Sequence, residues 1–208
     1  MRLSEPTTAI TDYILGVELL LLGSLLAGSS SQISVRLWAA SFLVMAVAAI
    51  AGGTFHAGRF TFHASLLQRL WNSAGIGIAL SSGLLLAAGA MSASGVLRSM
   101  LLPASVVVAI MISRGFSTPS GQPWKTTTKT VVVLFLALFV LLLIHLLKNG
   151  SPAGIWILAG SLIAGAAIGI QRAGLMIHRR FNHNDLFHVV MMAAYYVLYR
   201  GGLLLRDQ

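Results

Sequence analysis

Seven long apolar runs, each closed by a short polar break, organise the chain. They cover roughly Thr8–Leu26, Val35–Phe55, Leu70–Met91, Leu97–Ile112, Thr130–Leu147, Gly154–Ile170 and Leu186–Leu204. Each comes near the ~20 residues a helix needs to cross a hydrocarbon core, the fourth and sixth being short. The breaks carry turn chemistry: Gly28-Ser29-Ser30-Ser31 after the first run, Ser117 to Pro123 after the fourth, and Lys148-Asn149-Gly150-Ser151-Pro152 after the fifth. None is long enough for a second domain, so residues 1–208 form one domain. Lipid tolerates no open sheet edge, so the runs are expected to be helices of a seven-transmembrane bundle.

Composition agrees. The chain is 57% hydrophobic and 9% charged, against about 25% charged in a soluble domain. Mean hydropathy is +0.86. Cysteine is absent, which excludes disulfides, thiolate metal sites and cysteine nucleophiles. The net charge of +9 is scattered through short loops. That is a topological bias and not a nucleic-acid-binding patch. The polar start, Met1 to Pro6, does not read as a cleavable signal.

Counting Lys and Arg sets the expected orientation. With seven spans, nine of them fall on the side of the N-terminus and five on the other. The positive-inside rule then predicts N-terminus in and C-terminus out in an integral membrane protein.

This topology gathers polar side chains at the inner face. Asp12 lies in the first turns of helix 1, His56 ends helix 2, Asn72 opens helix 3, and His183, Asn184, Asp185 and His188 open helix 7. The stretch Arg179-Arg180-Phe181-Asn182-His183-Asn184-Asp185-Leu186-Phe187-His188 is the densest part of this cluster. Ionisable groups at that depth are costly and call for partners or a function. Asn182 and Asp185 also have the spacing of a helix N-cap with a capping box. Asp185 and His188, three residues apart, share a helical face. Glu18 lies ~9 Å further along helix 1 than Asp12, at ~1.5 Å per residue, and is the deepest acid. Gly52-Gly53, Gly75, Gly77, Gly83, Gly165 and Gly169 read as close-packing positions. Trp38, Trp71, Trp156, Tyr195, Tyr196 and Tyr199 read as interfacial anchors.

The seven-span layout, His56, Leu70-Trp71-Asn72-Ser73-Ala74-Gly75-Ile76 and Asn184-Asp185-Leu186-Phe187-His188 resemble the CREST superfamily of alkaline ceramidases, progestin and adipoQ receptors and hemolysin III proteins. Gly52, Asn72 and Asn184 stand where that family usually has Ser, Asp and His. The resemblance implies a zinc-dependent hydrolase of lipid-like amides or esters. In it His56, His188 and His183 or Asp185 would hold zinc, while Asp12 or Asn72 orients water or metal ligands. Phe181 to Gly201 also looks like an uncharacterised family of bacterial membrane proteins. The alternative is a non-catalytic receptor, scaffold or accessory subunit that keeps the cluster as an inter-helix hydrogen-bond network. A haem protein ligated by His56 and His188, or a proton-coupled transporter using Glu18, has the least support. The expected partners are the bilayer and either a lipid-like substrate or other membrane subunits.

Overall fold

The computed structural model describes residues 5–117, 123–178 and 181–208, and those residues are helical almost throughout. Seven helices follow one another: α1 (Pro6–Ser29), α2 (Ile33–Gly58), α3 (Ala64–Met91), α4 (Gly95–Ser117), α5 (Pro123–Lys148), α6 (Pro152–Ala173) and α7 (His183–Gly202). Among the described residues the one β-type pairing is the isolated bridge between His178 and Phe181. Each apolar run thus becomes a helix, extended by a turn or so at most ends. The largest extensions are at the starts of α5, which begins at Pro123 ahead of Thr130, and of α3, whose first turns carry Gln68 and Arg69 and were too polar to join the run. Of the turn-rich break from Ser117 to Pro123, residues 118–122 lie outside the described residues.

Local chemistry sets the ends. Pro6 and Pro152 stand in the first turns of α1 and α6, where a missing N–H costs nothing. Gly174 closes α6 with φ of 66°, a left-handed conformation that glycine adopts without a Cβ penalty. Pro103 lies inside α4 and removes one backbone hydrogen bond there.

Among the described residues four helices, α1, α2, α3 and α6, are long and apolar enough to cross a membrane, and α4 and α5 contribute the shorter apolar stretches Gly95–Met111 and Val133–Lys148. By length and composition the protein is of membrane type. Consecutive helices pack on one another, most extensively α1 on α2, α2 on α3 and α6 on α7. The chain then closes on itself, because α7 returns to α1 and touches α2. The core between the helices is built from Leu19, Leu26, Trp38, Phe42, Leu86 and Ile157, all fully buried. Val17, Val47, Ile155 and Leu162 point outward, each more than 60% exposed. Such apolar outer faces suit lipid rather than water.

Three expectations change here. Trp38 is fully buried instead of interfacial, with Gly202 set against its indole ring. Tyr195 is likewise a core residue, edge-on to Phe42 at 5.4 Å. Gly165 and Gly169 face open space, so they are not helix-packing positions. In each case periodicity located the residue along a helix but not the side of the helix that met a neighbour.

At the end of the bundle opposite the polar cluster, the segment after α7 straps the turns together. The Asp207 carboxylate accepts hydrogen bonds from Ile33 N (2.7 Å) and Ser34 N (2.8 Å), capping α2 from a distant part of the chain. Gln208 N donates to Met91 O at 3.0 Å, and Arg98 Nη1 donates to Gln208 O at 2.9 Å. Burial works against the Asp207 charge. The Ser34 and Ile33 hydrogen bonds, with Arg98 nearby, outweigh it and hold the carboxyl below its usual range. Because the folded pKa is depressed, the cap's contribution is present above the ordinary carboxylate value near ~4 and is lost as pH falls through the folded value. Asp207→Ala is expected to cost about 0.5–2 kcal/mol, the usual worth of an N-cap. Thermal unfolding in detergent at neutral pH, repeated near pH 3, checks this. The gap between the two proteins should narrow as pH falls, and a gap that widens towards acid pH would contradict the ionic origin of the cap.

Candidate functional site

The sequence places Thr8, Thr11 and Asp12 at positions i, i+3 and i+4 of α1, and therefore on one helical face. All three are buried. On α7, Asp185 and His188 occupy i and i+3 and are buried too, Asp185 completely. The two faces meet where α7 closes on α1, and the five side chains form one hydrogen-bonded network.

Thr8 Oγ1 donates to Asp185 Oδ1 at 2.7 Å. The other carboxylate oxygen of Asp185 accepts Asn182 N at 2.7 Å. The Asn182 side chain in turn accepts Asn184 N at 2.8 Å and reaches Thr8 Oγ1 through Nδ2 at 3.4 Å. Asn182 and Asp185 thus form the capping box expected from their spacing. With two donors on its two oxygens, Asp185 is satisfied as a carboxylate.

His188 stands between two α1 side chains. Its Nδ1 is 3.0 Å from Thr11 Oγ1 and its Nε2 is 3.1 Å from Asp12 Oδ1. Thr11 Oγ1 also lies 3.0 Å from Thr8 O. A hydroxyl has one hydrogen, so it cannot serve both the carbonyl and the imidazole. If it donates to Thr8 O, His188 Nδ1–H donates to Thr11, and Nε2 and Asp12 share a further proton. If it donates to Nδ1, the imidazole hydrogen is on Nε2 and points at Asp12. In both arrangements a proton lies on the Nε2···Oδ1 line, so Asp12 and His188 form a proton-sharing pair.

Gly52 and Gly53 of α2 make room for this pair. A Cβ on Gly53 would stand 3.0 Å from Asp12 Cβ and 3.1 Å from Ala9 O, and one on Gly52 would face the Asp12 carboxylate at 3.6 Å. The glycines let α1 lie against α2 with Asp12 turned towards α7.

A second polar group lies at the same end. Glu5, the residue capping α1, places Oε2 2.6 Å from His56 Nδ1 and Oε1 3.0 Å from Arg59 Nη1. His56 is within electrostatic reach of His188. Asn72 accepts a hydrogen bond from Gln68 on its own helix at 2.7 Å. His183 is the first residue of α7 and keeps a buried Nδ1 with no hydrogen-bond partner among the described residues. Glu18 Oε2 is buried without a hydrogen-bond partner as well.

Asp12, Asp185 and His188 are therefore brought together, His56 is held by Glu5, and Asn72 is engaged by Gln68. Among the described residues no three His, Asp or Glu side chains stand so that they could hold a metal ion. The donors named for zinc, His56, His183, Asp185 and His188, do not converge into one set. Both ring nitrogens of His188 and both oxygens of Asp185 already face protein partners. The sequence reasoning passed over Thr8, Thr11 and Glu5. A threonine pair on the Asp12 face of α1 was a readable signal. Nothing in the sequence paired Glu5 with His56.

The polar face of α1 and the start of α7, which build this network, fall within one family match. The model of a protein family matches residues 7–207. The chain belongs to DUF6962, a family of unknown function. The match runs from α1 to the strap beyond α7, so the DUF6962 unit contains the network and all seven helices. A comparison with curated proteins gives no match.

Proposed function

We propose that this DUF6962 member is a non-catalytic seven-span protein of the bacterial inner membrane, N-terminus in and C-terminus out. In this reading it serves as a receptor, scaffold or accessory subunit, and its inner-leaflet polar cluster is a latch that fixes α7 to α1. One observation carries the reading: Thr8, Thr11, Asp12, Asp185 and His188 are bonded to one another and to the α7 cap. A hydrolytic zinc centre needs about three convergent protein donors and an open position for water. Here both ring nitrogens of His188 and both carboxylate oxygens of Asp185 meet protein partners, and the network is buried.

Metal analysis of the purified protein tests this. The expected result is no stoichiometric zinc and an unfolding temperature that EDTA leaves unchanged. One zinc per chain, lost in His56→Ala or His188→Ala, would overturn the latch and favour a metal-dependent hydrolase of lipid-like amides or esters.

A further inference from the structure

Where α2 ends and α3 begins, the bundle opens into a cleft of ≈ 460 Å³. Its lining is of two kinds. Phe55 and Trp71 form an aromatic wall, their rings 5.2 Å apart. His56, Arg59 and Gln68 supply a polar rim. The Arg59 side chain is 52% exposed, and its described hydrogen bond uses one nitrogen, Nη1, on Glu5. A guanidinium has five N–H donors in a fork that matches carboxylate and phosphate oxygens. Glu5 already shows how an oxyanion sits here, with one oxygen on the arginine and the other on the histidine.

The depth of the cleft follows from its neighbours. Phe60, directly after Arg59, is 78% exposed, and Trp71 is 44% exposed. Aromatic side chains beside an arginine at the end of an apolar span mark headgroup level. The end of the bundle that holds the cleft is also the Lys- and Arg-rich side in the proposed orientation, facing the leaflet where anionic lipids attract basic groups.

We propose that this cleft binds the headgroup of an anionic glycerophospholipid. Its phosphate takes the free edge of the Arg59 guanidinium in competition with Glu5, and its glycerol and first methylenes lie on Phe55 and Trp71. The inference rests on the spanning reading of α2 and α3. It is independent of whether the α1–α7 network is catalytic, so the metal analysis and the lipid experiment fail separately.

The test uses full-length protein in nanodiscs of phosphatidylcholine, with and without phosphatidylglycerol, and measures phosphatidylglycerol retained per chain by mass spectrometry. Loss of a charge-assisted contact predicts a drop of about tenfold in Arg59→Gln. Ala64→Trp, which fills the cleft from α3 and keeps the arginine, should lose retention similarly. Glu5→Gln, which removes the competitor, should raise it. Arg36→Gln at the opposite end should match the parent protein. Equal retention in the parent and Arg59→Gln overturns the proposal, as does an equal loss in Arg36→Gln. Should Arg59→Gln fail to fold, the other two cleft variants decide, and no change in either overturns it. Inorganic phosphate that protects the detergent-solubilised protein from heat through Arg59, without any preference between the two lipids, would assign the cleft to soluble phosphate and overturn the lipid assignment.

Discussion

His188→Leu is expected to destabilise the protein by about 1–3 kcal/mol, the cost of leaving a buried polar group without its partner. The substitution deletes the group that shares a proton with Asp12 and leaves a carboxyl on α1 facing leucine. Asp12 is 6% exposed and its carboxyl group also faces the glycine pair of α2, so it is largely withdrawn from solvent. Adding Asp12→Leu removes the orphaned acid and should recover much of the loss, because a pair replaced whole by apolar groups is often neutral. Thr11→Val provides the scale. It removes a neutral inter-helix hydrogen bond, for which the membrane value averages ~0.6 kcal/mol and reaches ~1.7. Equilibrium unfolding of the three variants in one detergent ranks them. A His188→Leu cost below that of Thr11→Val, or a double variant no better than the sum of its singles, would mean that the Asp12–His188 pair holds little of α7 in place.

How far these contacts could be foreseen depends on the range over which each is set. Helix limits are local: apolar run length, Pro at a first turn and the Asn182–Asp185 capping box are written within a few residues of where they act. The runs accordingly matched the helices to within about a turn at most ends. α3 and α5 departed because their first turns, with Gln68 and Arg69 in one and Lys125 and Lys129 in the other, are helical yet polar. The polar level at the Asp12, His56 and His188 end was also legible, since antiparallel neighbours bring alternate helix ends together. Pairing within that level was not. Whether His188 meets His56 or Asp12 depends on the rotation of α7 about its axis. That rotation is fixed by packing such as Gly202 on Trp38 and Gly160 on Leu198. Histidine and aspartate attracted a metal reading because they are the usual ligands. The threonines that satisfy them carry no such signal.

Gly53→Val should cost about 1–3 kcal/mol for overpacking plus whatever is lost when Asp12 moves. A Cβ at Gly53 would already stand 3.0 Å from Asp12 Cβ, 3.1 Å from the Ala9 carbonyl oxygen and 3.2 Å from Tyr13 Cδ1. Two of those neighbours are fixed: one is backbone, and the other is the first carbon of a side chain held by His188. Valine adds two methyl groups to that contact, so α1 must move off α2 and carry Asp12 with it. The consequence is a specific coupling. Once Gly53→Val has displaced Asp12, adding His188→Leu should cost less than it does in the parent protein, with an interaction energy of about 0.5–3 kcal/mol. Gly165→Val on the open face of α6 serves as the control, because a Cβ there meets nothing within 4 Å, and it should add to His188→Leu without coupling. Unfolding measurements on the two double variants separate the cases. If Gly53→Val and His188→Leu were simply additive, α2 would not be what holds Asp12 against α7, and the role assigned to the glycine pair would fall.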